Sequence, residues 1–173
     1  IYTGEDTLSL HDALPISADI EYIITGNIVT GFGAGAANAG ISTWINNKNL
    51  DQKIYGEISG NTVSNHTTGI RLFHWSYQGA SPFDSFFDVK QNIMFNNTEL
   101  GIDIVTGGDD QSNSLPAVRT PNDLNDVDNN GGNLVQNFPV FTSLTYDITN
   151  GYTITGTLNS EANEQYRIDF LEL

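Results

Sequence analysis

Three short segments of the chain align with one another without gaps: Ile24-Thr-Gly-Asn27-Ile-Val29, Ile58-Ser-Gly-Asn61-Thr-Val63 and Val89-Lys-Gln-Asn92-Ile-Met94. Each precedes a Gly-Ile pair, at Gly40-Ile41, Gly69-Ile70 and Gly101-Ile102. The repeat runs to roughly 30 residues, the length of one unit in a stacked array. Superposing the units creates apolar columns: Tyr22 with Gly56 and Phe87, Ile24 with Ile58 and Val89, Val29 with Val63 and Met94, Ile41 with Ile70 and Ile102, and Thr43 with Leu72 and Ile104. Within each segment these positions alternate with polar or variable ones, the period-two pattern of a strand with one buried face. Strands laid about 4.8 Å apart would pile each column into a continuous dry interior. Asn27, Asn61 and Asn92 then fall at one corner of successive coils. There an Asn holds a turn, and its amide can bond to the amides above and below it as a ladder. Chance recurrence of Asn-Gly turns in an antiparallel sandwich would account for the corners. It would not account for corner, column and Gly-Ile pair recurring in one order. The expectation is an all-β chain with a stack of parallel strands.

The pattern I-x-G-N-x-(V/I)-x-x-N followed by G-I resembles the right-handed parallel β-helix repeats, the pectate-lyase-like superfold, of bacterial secreted and surface proteins and of some polysaccharide lyases and hydrolases. The resemblance covers residues 20–105. It implies a right-handed parallel β-helix of about three coils over residues 17–105 and a secreted or cell-surface location. A repeat of this kind specifies a fold and says little about activity.

Residues 1–16 are expected to be foreign to the fold. Thr7 to Ile16, TLSLHDALPI, resembles one reading frame of a sequencing-library adapter, and Ile1-Tyr2-Thr3 resembles its upstream part. His11-Asp12 therefore carries no weight as a catalytic pair. Charge excludes more. Six Lys plus Arg stand against 21 Asp plus Glu, a formal net charge of -15, so there is no basic stripe for a phosphate backbone or an anionic membrane surface. No run of apolar residues approaches the length of a membrane-spanning helix. The chain has no Cys, which removes disulfides, thiolate metal sites and Cys nucleophiles.

Insertions follow the Gly-Ile strand, at residues 45–54 and 74–86. Outward positions on that strand stack as Ser42, Arg71 and Asp103, then Trp44, Phe73 and Val105. Arg71 and Asp103 are placed for an exposed ion pair. Trp44 and Phe73, with Trp75 nearby, form a candidate aromatic platform for sugar rings, unless the insertions fold over the strip and bury it. The lyases of the resembled fold use a cation, often calcium, and a Lys or Arg base, for which Arg71 is the one outward candidate. Hydrolases need two carboxyls across a groove, and Asp84 with Asp88 or Asp103 with Asp109 are the available pairs. The Gly-His-Gly and Arg-x-Lys motifs typical of hydrolases on this fold are absent. His66 and His74 lie by no recognisable nucleophile motif and read as surface residues. Gly31-Phe-Gly33-Ala-Gly35 precedes no helix and reads as a loop.

Residues 106–137 form an acidic Asp/Asn/Gly-rich linker. Asp126-Val-Asp128-Asn-Asn130-Gly131 matches the first half of a calcium loop, and with Asp123 it gives a candidate oxygen-ligand set, Asp123, Asp126, Asp128 and Asn130. The twelfth position of that loop is Asn137, where an EF-hand has a bidentate Glu. The alternative is an Asx-turn loop without an ion. The string from Thr120 through Asn133-Leu-Val-Gln-Asn-Phe-Pro139 resembles a joint between β-helix repeats and a β-sandwich module in large bacterial surface proteins. Residues 138–173 fit that reading, with alternating strands from Thr142 to Thr149 and Tyr152 to Leu158 around Asn150-Gly151, and a third from Tyr166 to Leu173. They are expected to be an incomplete antiparallel, immunoglobulin-like β-sandwich. The functional expectation is a non-catalytic structural or adhesive segment, calcium-stabilised, facing polysaccharide or a neighbouring surface protein. The alternative is a fragment of a polysaccharide lyase or glycoside hydrolase.

Overall fold

The computed structural model describes residues 8–10, 20–31, 39–47, 54–76, 85–105, 119–127 and 131–170. The Gly33–Gly35 run, most of the two insertions with Asp84, and the Asp109-Asp110 pair lie outside them. The described strands fall into repeating triplets. β1 (Leu8–Leu10) is followed by β2 (Ile20–Thr25), β3 (Ile28–Thr30) and β4 (Ala39–Asn47), then by β5 (Ile54–Ser59), β6 (Thr62–Ser64) and β7 (Thr68–Ser76), then by β8 (Ser85–Lys90), β9 (Ile93–Phe95) and β10 (Ile102–Val105). The first strand of each triplet joins the parallel sheet β2-β5-β8, the second joins β3-β6-β9, and the third joins β1-β4-β7-β10.

Strand register pairs the residues that the repeat alignment pairs. Ile24 lies on Ile58 and Ile58 on Val89, Val29 on Val63 and Val63 on Met94, and Ile41 on Ile70 and Ile70 on Ile102. Most column residues join one apolar cluster in which Ile41, Ile58, Val63 and Ile70 are fully buried, whereas Ile102, expected in the same interior, is exposed. Each such side chain contributes about 1.5–3 kcal/mol by leaving water. Two of the three glycines in the Gly-Ile pairs have a packing reason. A Cβ on Gly40 would stand 2.3 Å from Val63 Cγ1, and one on Gly69 would stand 2.9 Å from Met94 Sδ. Gly56 likewise leaves the space that the Phe87 ring fills, its absent Cβ lying 2.4 Å from a ring carbon.

At the first corner the Asn side chains stand one above another. Asn61 Oδ1 accepts from Asn27 N at 2.9 Å and from Asn27 Nδ2 at 3.0 Å. Asn92 Oδ1 accepts from Asn61 N at 3.0 Å and from Asn61 Nδ2 at 2.9 Å. The remaining amide protons go to backbone, Asn61 Nδ2 to Ile24 O and Asn92 Nδ2 to Ile58 O. Left-handed backbone sits one residue earlier, at Gly26 (φ 67), Gly60 (φ 62) and Gln91 (φ 54). The turn strain thus falls on the Gly and not on the Asn, and the third unit accepts it at Gln91.

β1 belongs to the stretch expected to be foreign, yet it pairs with β4, Leu8 on Ile41 and Leu10 on Thr43. An open parallel edge accepts any extended segment with the right alternation, and Leu-Ser-Leu has it.

The described residues divide into two compact units. Residues up to 120, with 131–135 and 169–170, make the first, and 121–127 with 136–168 make the second. The stretch read as one linker is therefore shared between them. The second unit carries the antiparallel pair β11 (Val140–Asp147) and β12 (Gly151–Thr157). Its turn is closed by Asp147 Oδ1, which accepts from Thr149 N at 2.9 Å and Asn150 N at 2.8 Å, with Gly151 left-handed at φ 77. Those bonds hold the Asp147 carboxyl below its ordinary range. Leu144 faces Ile154 and Tyr146 faces Tyr152 across the pair, all four exposed. Residues 164–170 form no strand, so the third strand of the sequence reading is absent from its described part. Two strands without a covered face fall short of a sandwich.

Asn61 is fully buried, and Asn61→Ala would strip an acceptor from Asn27 and a donor from Ile24 O. Urea denaturation should show a loss of about 3 kcal/mol, since each buried group left unpaired costs about 1–3 kcal/mol.

Candidate functional site

The outward strip of the sheet β4-β7-β10 has the expected register, Ser42 beside Arg71 beside Asp103 and Trp44 beside Phe73 beside Val105. Its environment differs from the expectation. Arg71 Nε donates to Asp103 Oδ2 at 2.9 Å, and the two side chains are only 6% and 4% exposed. The pair is buried, not a surface ion pair, and Ser42, Phe73 and Val105 on the same strip are buried with it. Arg71 is consequently not presented to a substrate as a base, nor is Asp103 as one of a pair of catalytic carboxyls. Phe73 is 2% exposed, so its ring offers no stacking surface to a sugar. The backbones of Trp44 and Trp75 run in β4 and β7, with Asn46 opposite Trp75. Their indoles lie outside the described residues.

A different aromatic pair reaches solvent, on the sheet β2-β5-β8. Tyr55 stacks on Phe86 with ring centroids 5.9 Å apart and planes 21° apart, and Tyr55 is 41% exposed. Beside it, Lys90 Nζ bridges Glu57 Oε2 at 3.1 Å and Asp88 Oδ2 at 2.6 Å. Hydrogen bonds to Ser59 and Lys90 lower the Glu57 carboxyl, and those to Asp88 and Glu57 raise the Lys90 ammonium. Tyr55 with Glu57, and Phe86 with Asp88, occupy the strand positions that alternate with the apolar columns.

His66 is buried, contrary to its reading as a surface residue. It sits at the second corner of the middle unit, where the third unit has Asn97. Asn97 bonds between units, its Oδ1 accepting from His66 N at 3.1 Å and its Nδ2 donating to Val63 O at 3.3 Å. The His66 ring makes no equivalent bond. Both ring nitrogens of His66 are without a partner, as is the buried Thr68 hydroxyl. The ring fills space left by two glycines, lying 2.8 Å from where a Gly31 Cβ would be and 2.9 Å from where a Gly40 Cβ would be. Burial lowers its pKa below the ordinary value.

In the acidic loop the described ligands of the expected calcium site are engaged with nitrogen and hydroxyl donors. Asp123 Oδ2 accepts from Val127 N at 3.0 Å, and Asp123 Oδ1 accepts from Asn137 Nδ2 at 3.2 Å. Asp126 Oδ1 accepts from Asn137 N at 2.9 Å, and its Oδ2 meets Ser160 Oγ. Asp128 and Asn130 lie outside the described residues. Among the described residues no group of three or more acidic or His side chains is gathered closely enough to hold a metal. The centre of the loop is Asn137, which is 5% exposed. Its Nδ2 also donates to Asp123 O at 2.9 Å and Asn159 O at 2.7 Å, while its Oδ1 accepts from Asp123 N at 3.0 Å. At the twelfth position an Asn supplies what a Glu carboxylate does not, donors together with an acceptor.

Comparison with protein-family models, with curated proteins and with solved structures finds no match to this chain. No described helix is long and apolar enough to cross a membrane.

Two outcomes follow from the buried polar groups. Asp103→Leu should cost about 3–5 kcal/mol in denaturant unfolding by leaving Arg71 buried beside an apolar neighbour, whereas Arg71→Met with Asp103→Leu should recover most of that loss. For His66 the folded pKa lies below the unfolded one, about 6.5. Protons therefore favour the unfolded chain, and His66 destabilises progressively as pH falls below about 6.5 until the buried ring itself is protonated. Melting from pH 7.5 to 5 should show this fall, and His66→Leu should lack that part of it.

Proposed function

We propose that the chain is a non-catalytic structural segment of a large secreted or cell-surface protein, built as a right-handed parallel β-helix and followed by the opening strands of a β-sandwich. The supporting observation is that successive units lie in one register in all three parallel sheets. That is how a modular rod transmits position along its length. The buried Arg71–Asp103 pair and buried Phe73 favour this reading over the lyase or hydrolase alternative, because the strip that would have carried a groove is packed. An adhesive role toward polysaccharide belongs to the same proposal, with Tyr55 and Phe86 as its solvent-facing aromatic pair. In the loop, the oxygens of Asp123 and Asp126 accept from Val127, Asn137 and Ser160, which favours hydrogen bonds within the chain as the organising contacts, and calcium remains a proposal for the set that includes Asp128 and Asn130.

One panel tests the reading. The chain is incubated with acidic and neutral polysaccharides, with and without millimolar calcium, while ultraviolet absorbance, reducing ends and retention are followed. The expected result is no product and a retention that falls on Tyr55→Ala. New unsaturated or reducing ends would sink the structural reading. Thermal melts on the same samples decide the metal: a transition raised by calcium supports an ion in the loop, and an unchanged one removes it.

A further inference from the structure

We infer that residues 131–135 are a cap that closes the outer edge of β8, with the Asn133 side chain standing where a residue of a following strand would stand. In a parallel ladder the N–H and C=O of one residue face the same neighbour, and successive residues alternate sides. Lys90 O accepts from Gly60 N in the preceding unit at 3.3 Å. By that alternation Phe86, Asp88 and Lys90 face β5, and Phe87 faces away from it.

Asn133 takes both outward groups of Phe87. Its Oδ1 accepts from Phe87 N at 2.7 Å, and its Nδ2 donates to Phe87 O at 2.8 Å. A carboxamide carries the same donor and acceptor as a peptide group, so one side chain satisfies an edge residue without a strand being present. On the neighbouring sheet Thr120 Oγ1 donates to Ile104 O at 3.2 Å on β10.

The backbone that presents Asn133 is unusual. Asn133, Leu134 and Val135 have φ of 48, 52 and 57, three consecutive residues in the left-handed region, which L-residues disfavour. Packing holds them there. Val135 is 4% exposed, and Gly132 lies so close to Leu72 that a Cβ would sit 3.3 Å from its Cβ and its carbonyl oxygen. A strained turn seated by a close Gly and a buried Val, and aimed at one edge residue, has the features of a device for blunting an edge. The segment Asn133-Leu-Val-Gln-Asn, which the sequence singled out only as a joint, thereby gains a role of its own at its first residue.

The test is amide hydrogen exchange on the full chain, wild type against Asn133→Ala and Asn133→Asp. The Phe87 amide is read against those of Ile58 and Val63 in the middle unit. In the Ala variant Phe87 should exchange about tenfold faster, the size of effect expected for one lost hydrogen bond, with Ile58 and Val63 unchanged. The Asp variant keeps an acceptor for Phe87 N but turns a second carboxylate oxygen, which cannot donate, toward Phe87 O, so it too should lose protection at Phe87 with Ile58 and Val63 unchanged. Equal acceleration of all three amides, or no acceleration of Phe87 in either variant, would overturn the assignment.

Discussion

The whole first unit depends on side-by-side pairing of parallel backbones in a fixed register. Each strand is only three to nine residues long, and three-residue strands such as β3, β6 and β9 have no independent stability. They persist because the preceding strand and the following strand are covalently placed to pair in their own sheets. The Asn27, Asn61 and Asn92 amides fix where one sheet ends and the next begins, and so keep the registers of two sheets consistent. If that corner shifted by one residue, every column after it would turn its apolar set to the opposite face.

Local patterning carried this part of the structure in the sequence. The apolar columns, the recurring Asn and the Gly-Ile pairs could be aligned by eye, and strand pairing reproduces the alignment residue by residue. The reason for the Gly in those pairs was hidden, because it lies in the next unit: Val63 occupies the space above Gly40, and Met94 that above Gly69. Burial on the outward strip was equally hidden. Nothing within Ser42, Arg71 and Phe73 distinguishes a solvent-facing residue from a covered one. His66 was misread for a related reason, since its place in the corner column becomes visible only when Asn97 is seen bonding to the unit before it.

The loop was the hardest to read. Acidic residues at alternate positions look the same whether they wait for a cation or accept hydrogen bonds from the chain. What separates the two is the partner, and the partner is Asn137, more than ten residues from Asp123 and Asp126. Asn serves three ends in this chain: a ladder rung at Asn61, a hub at Asn137 and a surrogate peptide at Asn133. All three use the same property, a donor and an acceptor held on a short stem.

Vertical agreement between units also sets how such a chain can change length over evolutionary time. Removing a few residues inside β5 would put Ile58 out of line with both Ile24 and Val89, so small indels are confined to the segments between strands. Loss or duplication of a complete module, from one corner amide to the next, leaves every remaining side chain over an equivalent one. Growth and shortening of the stack are therefore quantised.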